Sequence, residues 1–226
     1  MKFRITSFVV ALALLVFTLP ALAGGYTAEE YKSHIKSALE VEDYAKAVEI
    51  CNEAIEQYPD DADFWYYKGF ALAELEQFDE AMEAYKEADR IKPYEENFCL
   101  INNREAQEKY EMGFEQRKSK NYDSAIEYFT EALEIEPENA QTLYETGVCY
   151  ALIGNYSTSI KYIKEAIRVK PDHAALIALS TVYFMSEDWS NALFFSMLVF
   201  EICPSDYEDR GLIEERIEEC EKHLNE

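Results

Sequence analysis

Apolar residues in this chain recur at three- and four-residue steps, and runs with strict two-residue alternation are nearly absent. This periodicity predicts helices rather than strands. It also repeats. Residues 43–59 read DYAKAVEICNEAIEQYP, 77–93 QFDEAMEAYKEADRIKP, 121–137 NYDSAIEYFTEALEIEP, 155–171 NYSTSIKYIKEAIRVKP and 188–204 DWSNALFFSMLVFEICP. Each stretch predicts one amphipathic helix, with an aromatic residue second and a proline last that stops it. A second helical stretch lies upstream of each copy, clearest in WYYKGFALAEL (65–75) and LYETGVCYALI (143–153). The closing prolines, Pro59, Pro93, Pro137, Pro171 and Pro204, are separated by 34, 44, 34 and 33 residues. A period of this size predicts stacked two-helix units.

The letters inside the period resemble those of the tetratricopeptide repeat family, whose pattern is W-x2-L-G-x2-Y, A-x3-F and P. The second unit has Trp65, Lys68, Gly69 and Leu72, then Ala81, Tyr85 and Pro93. The third has Met112 and Gly113, then Ala125, Phe129 and Pro137. The fourth has Leu143, Gly147 and Tyr150, then Ser159, Ile163 and Pro171. The fifth has Leu176, Leu179, Ser180 and Tyr183, then Ala192, Ser196 and Pro204. The first is weakest in its first helix (Tyr31, His34, Ile35, Ala38) and regular in its second (Ala47, Ala54, Pro59). Gly69, Gly113, Gly147 and Ser180 lack bulk, so the two helices of a pair can approach closely. Asp60 or Asp61, Asn139, Asp172 and Ser205 stand where the next helix needs an N-cap, and Thr27-x-x-Glu30 and Ser205-x-x-Glu208 have the form of capping boxes.

The resemblance implies an all-α superhelix, a curved solenoid with a concave groove. Five repeats are expected, at about 28–61, 62–95, 106–139, 140–172 and 173–205, with residues 206–226 as a C-terminal capping helix. The face formed by Ile213, Ile217, Cys220 and Leu224 would cover Leu193, Ser196 and Phe200.

Two places depart from the period. Residues 96–105, ENFCLINNRE, are an insertion. Either the first helix of repeat three begins two turns early, which the absence of glycine and proline favours, or a connector leads to an N-cap at Asn102 or Asn103. In repeat five the outer positions of the second helix are Phe194, Met197 and Leu198, where repeats two and three carry Glu83, Lys86, Glu87 and Glu127, Thr130, Glu131. The capping helix would not reach these positions. The expectation is an exposed convex patch that forms a homodimer or partner contact.

Residues 1–23 stand apart: Lys2 and Arg4, an apolar run to Leu19, then Pro20 and Ala21-Leu22-Ala23. This is the pattern of a secretory signal peptide cleaved after Ala23. It places the mature protein in the periplasm, at the cell surface or outside the cell; membrane attachment follows only if the segment is retained. Cleavage removes two cations and no acids. The 21 Lys and Arg then fall to 19 against 45 Asp and Glu, and the formal charge moves from −24 to −26. Such a surface excludes nucleic acid as a partner. Five cysteines, Cys51, Cys99, Cys149, Cys203 and Cys220, share no spacing and do not form a disulfide framework.

No catalytic constellation is found. None of His34, His173 and His223 lies near a second candidate ligand with metal spacing, and no H-E-x-x-H, phosphate loop, G-x-S-x-G or C-x-x-C occurs. Asp60, Asp61 and Asp63 lack the glycine and distal glutamate of a calcium loop. No metal or cofactor is expected, and the chain is not read as an enzyme. The family resemblance implies that the first helix of each pair lines the groove. Carried over, the groove positions are Tyr66, Phe70, Tyr110, Phe114, Tyr144, Val148, Ile177 and Phe184, an aromatic and apolar stripe rimmed by acids. It suits a peptide or protein segment with apolar anchors and basic flanks. The family's carboxylate clamp needs asparagines that are missing, although Lys32, Lys36, Arg117 and Lys118 are present. The expected function is an exported, non-catalytic adaptor; the alternative is a self-associating subunit of an envelope assembly.

Overall fold

The computed structural model describes residues 26–93, 101, 103–204, 207 and 209–226. The segment expected to be a signal peptide, Cys99, most of the insertion, and Ser205 and Glu208 of the expected second capping box lie outside these residues. The described chain forms eleven helices and no strand: α1 (Ala28–Glu40), α2 (Tyr44–Gln57), α3 (Ala62–Glu74), α4 (Phe78–Ile91), α5 (Arg104–Lys118), α6 (Tyr122–Ile135), α7 (Ala140–Leu152), α8 (Tyr156–Val169), α9 (His173–Met185), α10 (Trp189–Ile202) and α11 (Arg210–Asn225).

Local chemistry sets the boundaries. Thr27 and Glu30 form a reciprocal capping box on α1, and Asp61, Asn139 and Asp172 cap α3, α7 and α9 through their side chains. α11 begins at Arg210, after Asp209. α5 begins at Arg104, with the Asn103 carboxamide accepting from the Glu105 and Ala106 amides. The expected early start of this helix is therefore replaced by a connector leading to the Asn103 cap. Within each pair the turn passes through one left-handed residue, at Glu42, Glu76, Lys120, Gly154 and Glu187. The shared backbone geometry fixes the register of all five pairs.

The glycines act as expected. A Cβ on Gly113 would stand 2.7 Å from the Phe129 ring, and one on Gly147 would stand 2.7 Å from Ile163 Cγ1. Ser180 takes the same place in repeat five, its Oγ 3.4 Å from Ser196 Oγ in a fully buried contact.

The stack is not continuous. α1–α4 form one block and α5–α11 another. α4 and α5, which an unbroken solenoid would bring together, form no packed interface among the described residues. Their sequences explain this. The α5 positions that would face α4 hold Lys109, Met112 and Gln116, where α7 has Leu143, Thr146 and Tyr150 and α9 has Leu176, Leu179 and Tyr183. Only Ala106 and Gly113 of α5 are buried, and Met112 is 44% exposed. α5 thus behaves as a polar terminal cap of the second block.

The first block folds back instead onto the convex side of repeats four and five. α4 packs on α10 and α1 on α8. Phe78 of α4 stacks on Phe194 of α10, with ring centroids 4.7 Å apart and planes 28° apart. The principal apolar cluster accordingly joins α1–α4 to α7–α11, whereas repeat three has a separate small core around Phe129.

This arrangement corrects the expected convex patch. Phe194 and Leu198 are 5% and 0% exposed, closed off by α4, and only Met197, at 44%, faces solvent. A helix with an apolar back requires a cover, and the chain supplies it from its own N-terminal block. α11 packs on α10, with Ile213 and Cys220 buried and the Arg210 guanidinium over the Phe200 ring, but Leu224, expected on the covering face, lies at the end of the helix and is 46% exposed. Cys51, Cys149, Cys203 and Cys220 are buried free thiols.

Three outcomes test this architecture. Gly147→Ala gains about 1 kcal/mol of helix propensity but overpacks Ile163, at a typical cost of 1–3 kcal/mol, so thermal denaturation should show a net loss of stability. Gly211→Ala, where a Cβ meets nothing within 4 Å, should gain about 0.5–1 kcal/mol. Phe194→Glu places a charge in the α4–α10 contact. It should leave the far-UV helix signal intact and increase the radius of gyration in solution scattering; an unchanged radius would contradict the fold-back.

Candidate protein-binding groove

Counted from Ala62, Ala106, Ala140 and His173, the repeat register puts positions five, nine and twelve on the concave side, and the fold-back divides these residues into two sets. In the second block, Tyr110 and Phe114 on α5, Tyr144 and Val148 on α7, and Ile177 and Phe184 on α9 are all partly exposed. In the first block, Tyr66 and Phe70 on α3 are 4% and 3% exposed. They are not open to a ligand in this structure: Tyr66 reaches the Asp172 carbonyl and the His173 ring of the second block, and Phe70 meets Tyr44 of α2 edge-on.

The open groove begins with two aromatic rings. Tyr110 and Phe114 lie one turn apart, with centroids separated by 6.1 Å and planes 18° apart. Lys118 Nζ is 4.5 Å and the Arg117 guanidinium 4.9 Å from the Phe114 centroid. Both cations lie over the ring and are paired, Lys118 with Glu115 at 3.0 Å.

Across the groove on α7, Glu145 is 5% exposed, and its Oε2 lies 3.0 Å from Arg117 Nε. Burial raises the Glu145 carboxyl above the usual range, while Arg117 and a hydrogen bond from Gln141 oppose that shift. Arg117 therefore both flanks Phe114 and balances the buried carboxylate of the neighbouring helix. Sequence reading placed Arg117 in the groove but could not pair it with Glu145, because the two lie on different repeats. Burial, with Glu145 nearby, pushes the Tyr110 and Tyr144 phenols up to about 12. Both remain neutral hydrogen-bonding groups through the physiological range.

At the far end, Phe184 packs edge-on against Trp189 at 5.7 Å, and Trp189 stacks on His223 of α11 at 4.2 Å. Arg216 of α11 lies over the Phe184 ring and donates to the buried Ser180 hydroxyl. The capping helix thus closes the groove with an aromatic wall. This wall was not read from the sequence, because Trp189, Arg216 and His223 lie outside the repeat's groove positions.

The first block's concave side makes a different set of contacts. Glu74 Oε2 accepts from Lys164 Nζ of α8 at 2.6 Å, with the two side chains 11% and 26% exposed. Tyr67 donates to the carbonyl of Arg168 at 3.3 Å, and Tyr66 donates to that of Asp172. At the edge of the junction, His173 Nε2 is 3.4 Å from Asp89 Oδ1 and its ring meets Tyr66 edge-on. Desolvation lowers the His173 pKa, with Asp89 opposing. A small cleft here is lined by Asp63, Tyr66, Lys92, Asp172 and His173 among others. Among the described residues, no group of three or more His, Cys, Asp and Glu is placed to hold a metal ion.

Comparison with known proteins bears on the repeats. Tetratricopeptide repeat models match residues 33–96 and 116–192. A 70-residue stretch is 34% identical to Superkiller complex protein 3 of Homo sapiens; it is 30% of this chain and spans only 4% of that relative's length. Among solved structures, the type III secretion translocator chaperone SycD of Yersinia enterocolitica is 14% identical, with a TM-score of 0.50 over 56% of this chain and 90% of that one. The TPR2AB domain of yeast Sti1, solved as a complex with pHSP90, is 15% identical over 86% of each chain, with a TM-score of 0.48. With both family models falling on the repeats read above, each turning between its two helices through one left-handed residue, the chain belongs to the tetratricopeptide repeat family.

Proposed function

We propose that the protein is a non-catalytic interaction module that holds a peptide or protein segment in the concave groove of repeats three to five. One observation carries this reading. Tyr110, Phe114, Tyr144, Val148, Ile177 and Phe184 remain partly exposed on three adjacent first helices, whereas the equivalent Tyr66 and Phe70 of repeat two are buried against the chain itself. A half-exposed aromatic stripe in a concave surface is suited to anchoring apolar side chains of a bound segment. The structure of the first repeat domain of Spaghetti (RPAP3), solved with the HSP90 peptide SRMEEVD, is an instance of a protein of this fold holding a peptide. The acidic surface favours basic flanks in the ligand. The N-terminal pattern of charge, apolar run and Ala21-Leu22-Ala23 supports export as part of the proposal.

Peptides selected from a displayed random library on the full chain give the probe for this groove. Replacing Tyr110 and Tyr144 by alanine should weaken binding of the selected peptides by roughly 1–2 kcal/mol per anchor. Both should lower stability less than Phe129→Ala, which empties a fully buried site at a cost of about 3–5 kcal/mol. Unchanged binding by well-folded Tyr110 and Tyr144 variants would exclude the groove. If the exported form is the mature one, its intact mass should begin at Gly24.

A further inference from the structure

We propose that His173 is an acid-sensitive latch between the two blocks, and that protonation of its ring releases repeats one and two from repeats four and five. The imidazole belongs to the first residue of α9, at the edge of the junction, and its side chain is 14% exposed.

Both blocks contribute to its surroundings. From α4, Asp89 Oδ1 lies 3.4 Å from Nε2, and Lys92 at the end of that helix lines the same small cleft. From α3, the Tyr66 ring meets the imidazole edge-on at 6.0 Å, and Asp63 lines the cleft beside it. On the ring's own turn, Asp172 caps α9 through its side chain, and its carbonyl accepts from the Tyr66 hydroxyl. Farther out, Tyr144 of α7 lies near Asp172, and Cys203 at the end of α10 lies near Asp89. Burial holds the Tyr66 phenol well above its ordinary range, the Tyr144 phenol at about 12 and the Cys203 thiol at about 11. None of these three groups titrates where a histidine does.

The position favours a neutral ring. A helix N-terminus carries partial positive charge, so a cation on the first residue of α9 is unfavourable there. Lys92 adds a second positive charge to the same cleft. Burial takes the ring out of water and penalises its charged form most. Asp89 and Asp172 oppose this, but burial outweighs them, and the pKa of His173 lies below its ordinary 6.5. When the first block leaves, the ring returns to water and to that ordinary value. Its contribution to the closed junction is therefore fully present above about pH 6.5, and it is lost as the pH falls through the lowered pKa. In the acid limit, each unit of lowering multiplies the open-to-closed ratio by about ten.

A single titration can move the junction because few contacts hold it. α4 and α5 form no packed interface among the described residues. The blocks are held through α4 on α10, α1 on α8, the Glu74–Lys164 pair and the hydrogen bonds to the Arg168 and Asp172 carbonyls. Tyr66 links the latch to this set, with its ring against His173 and its hydroxyl on the Asp172 carbonyl. A charged imidazole that draws water into the cleft disturbs both contacts. Release uncovers the stacked Phe78 and Phe194 rings, so acid exposes an apolar surface that is covered at neutral pH.

Proton NMR of the full chain tests this, with the His173 resonance assigned by its loss in His173→Gln. In the wild-type chain the ring should titrate below 6.5. In Phe194→Glu, which opens the junction, its pKa should move back up toward that value. Should Phe194→Glu lose helix content, Lys164→Glu, which faces Glu74 with a second carboxylate, provides another opening variant. Asp89→Asn removes a group that opposes burial, so the ring should titrate lower still. In solution scattering, the radius of gyration of the wild-type chain should rise between about pH 7.5 and about pH 5.5. His173→Gln cannot take up the proton and should remove most of that rise. Titration at or above 6.5 in the wild-type chain would mean that the pair with Asp89 holds the junction shut in acid, and would overturn the inference. An equal rise in His173→Gln, or a wild-type radius that does not change with pH, would overturn it as well.

Discussion

The fold-back of the first two repeats onto the last two is the interaction on which the rest of the molecule depends. Stacked pairs in a solenoid ordinarily bury each face against the next pair in sequence. Here α4 meets α10 instead of α5, through the stacked rings of Phe78 and Phe194. Three features that look unrelated along the chain are parts of this one contact. The insertion after Pro93 separates the blocks, the polar face of α5 makes stacking on α4 unfavourable, and the apolar back of α10 provides the alternative surface. Removing any one would leave the others without a physical reason: an apolar helix open to water, or a polar face pressed against an apolar one.

The fold-back also gives the two grooves different states. The concave side of repeats three to five stays open and carries partly exposed aromatics beside Arg117 and Lys118. The concave side of repeats one and two is filled, with Glu74 paired to Lys164 and the Tyr66 and Tyr67 phenols bonded to carbonyls of the other block. One fold thus presents a vacant surface and an occupied one, built from equivalent positions of the same repeat. The contrast arises because equivalent positions in a repeat share a direction relative to their own pair, while their exposure depends on what the rest of the chain places against them.

Much of the groove was legible for that reason. The repeat pattern fixes which residues of a first helix point to the concave side, and it placed Tyr110, Phe114, Tyr144, Val148, Ile177 and Phe184 there. The same rule placed Tyr66 and Phe70 on the concave side, but could not show that both are buried, Tyr66 against Asp172 and His173 of the second block. The pattern also marked Phe194 and Leu198 as outward-facing on their own helix. It could not show that an outward-facing residue becomes buried when another part of the chain docks on it. The pairing of Glu145 with Arg117, and the wall of Trp189, His223 and Arg216, likewise depend on contacts between different repeats.

What the sequence determined by itself is local and periodic: eleven helices, their pairing, the close approach at Gly69, Gly113 and Gly147, and the caps at Thr27, Asp61, Asn139 and Asp172. These follow from interactions within a single pair or between adjacent ones, and the 34-residue period repeats them often enough to fix the register. What only the tertiary structure decided is how the two blocks meet. That contact joins residues far apart in sequence, 90 positions for Glu74 and Lys164 and 106 for Tyr66 and Asp172. It has no period, because it occurs once. Its free energy comes from the fit of two assembled surfaces, and neither surface exists until each block has folded.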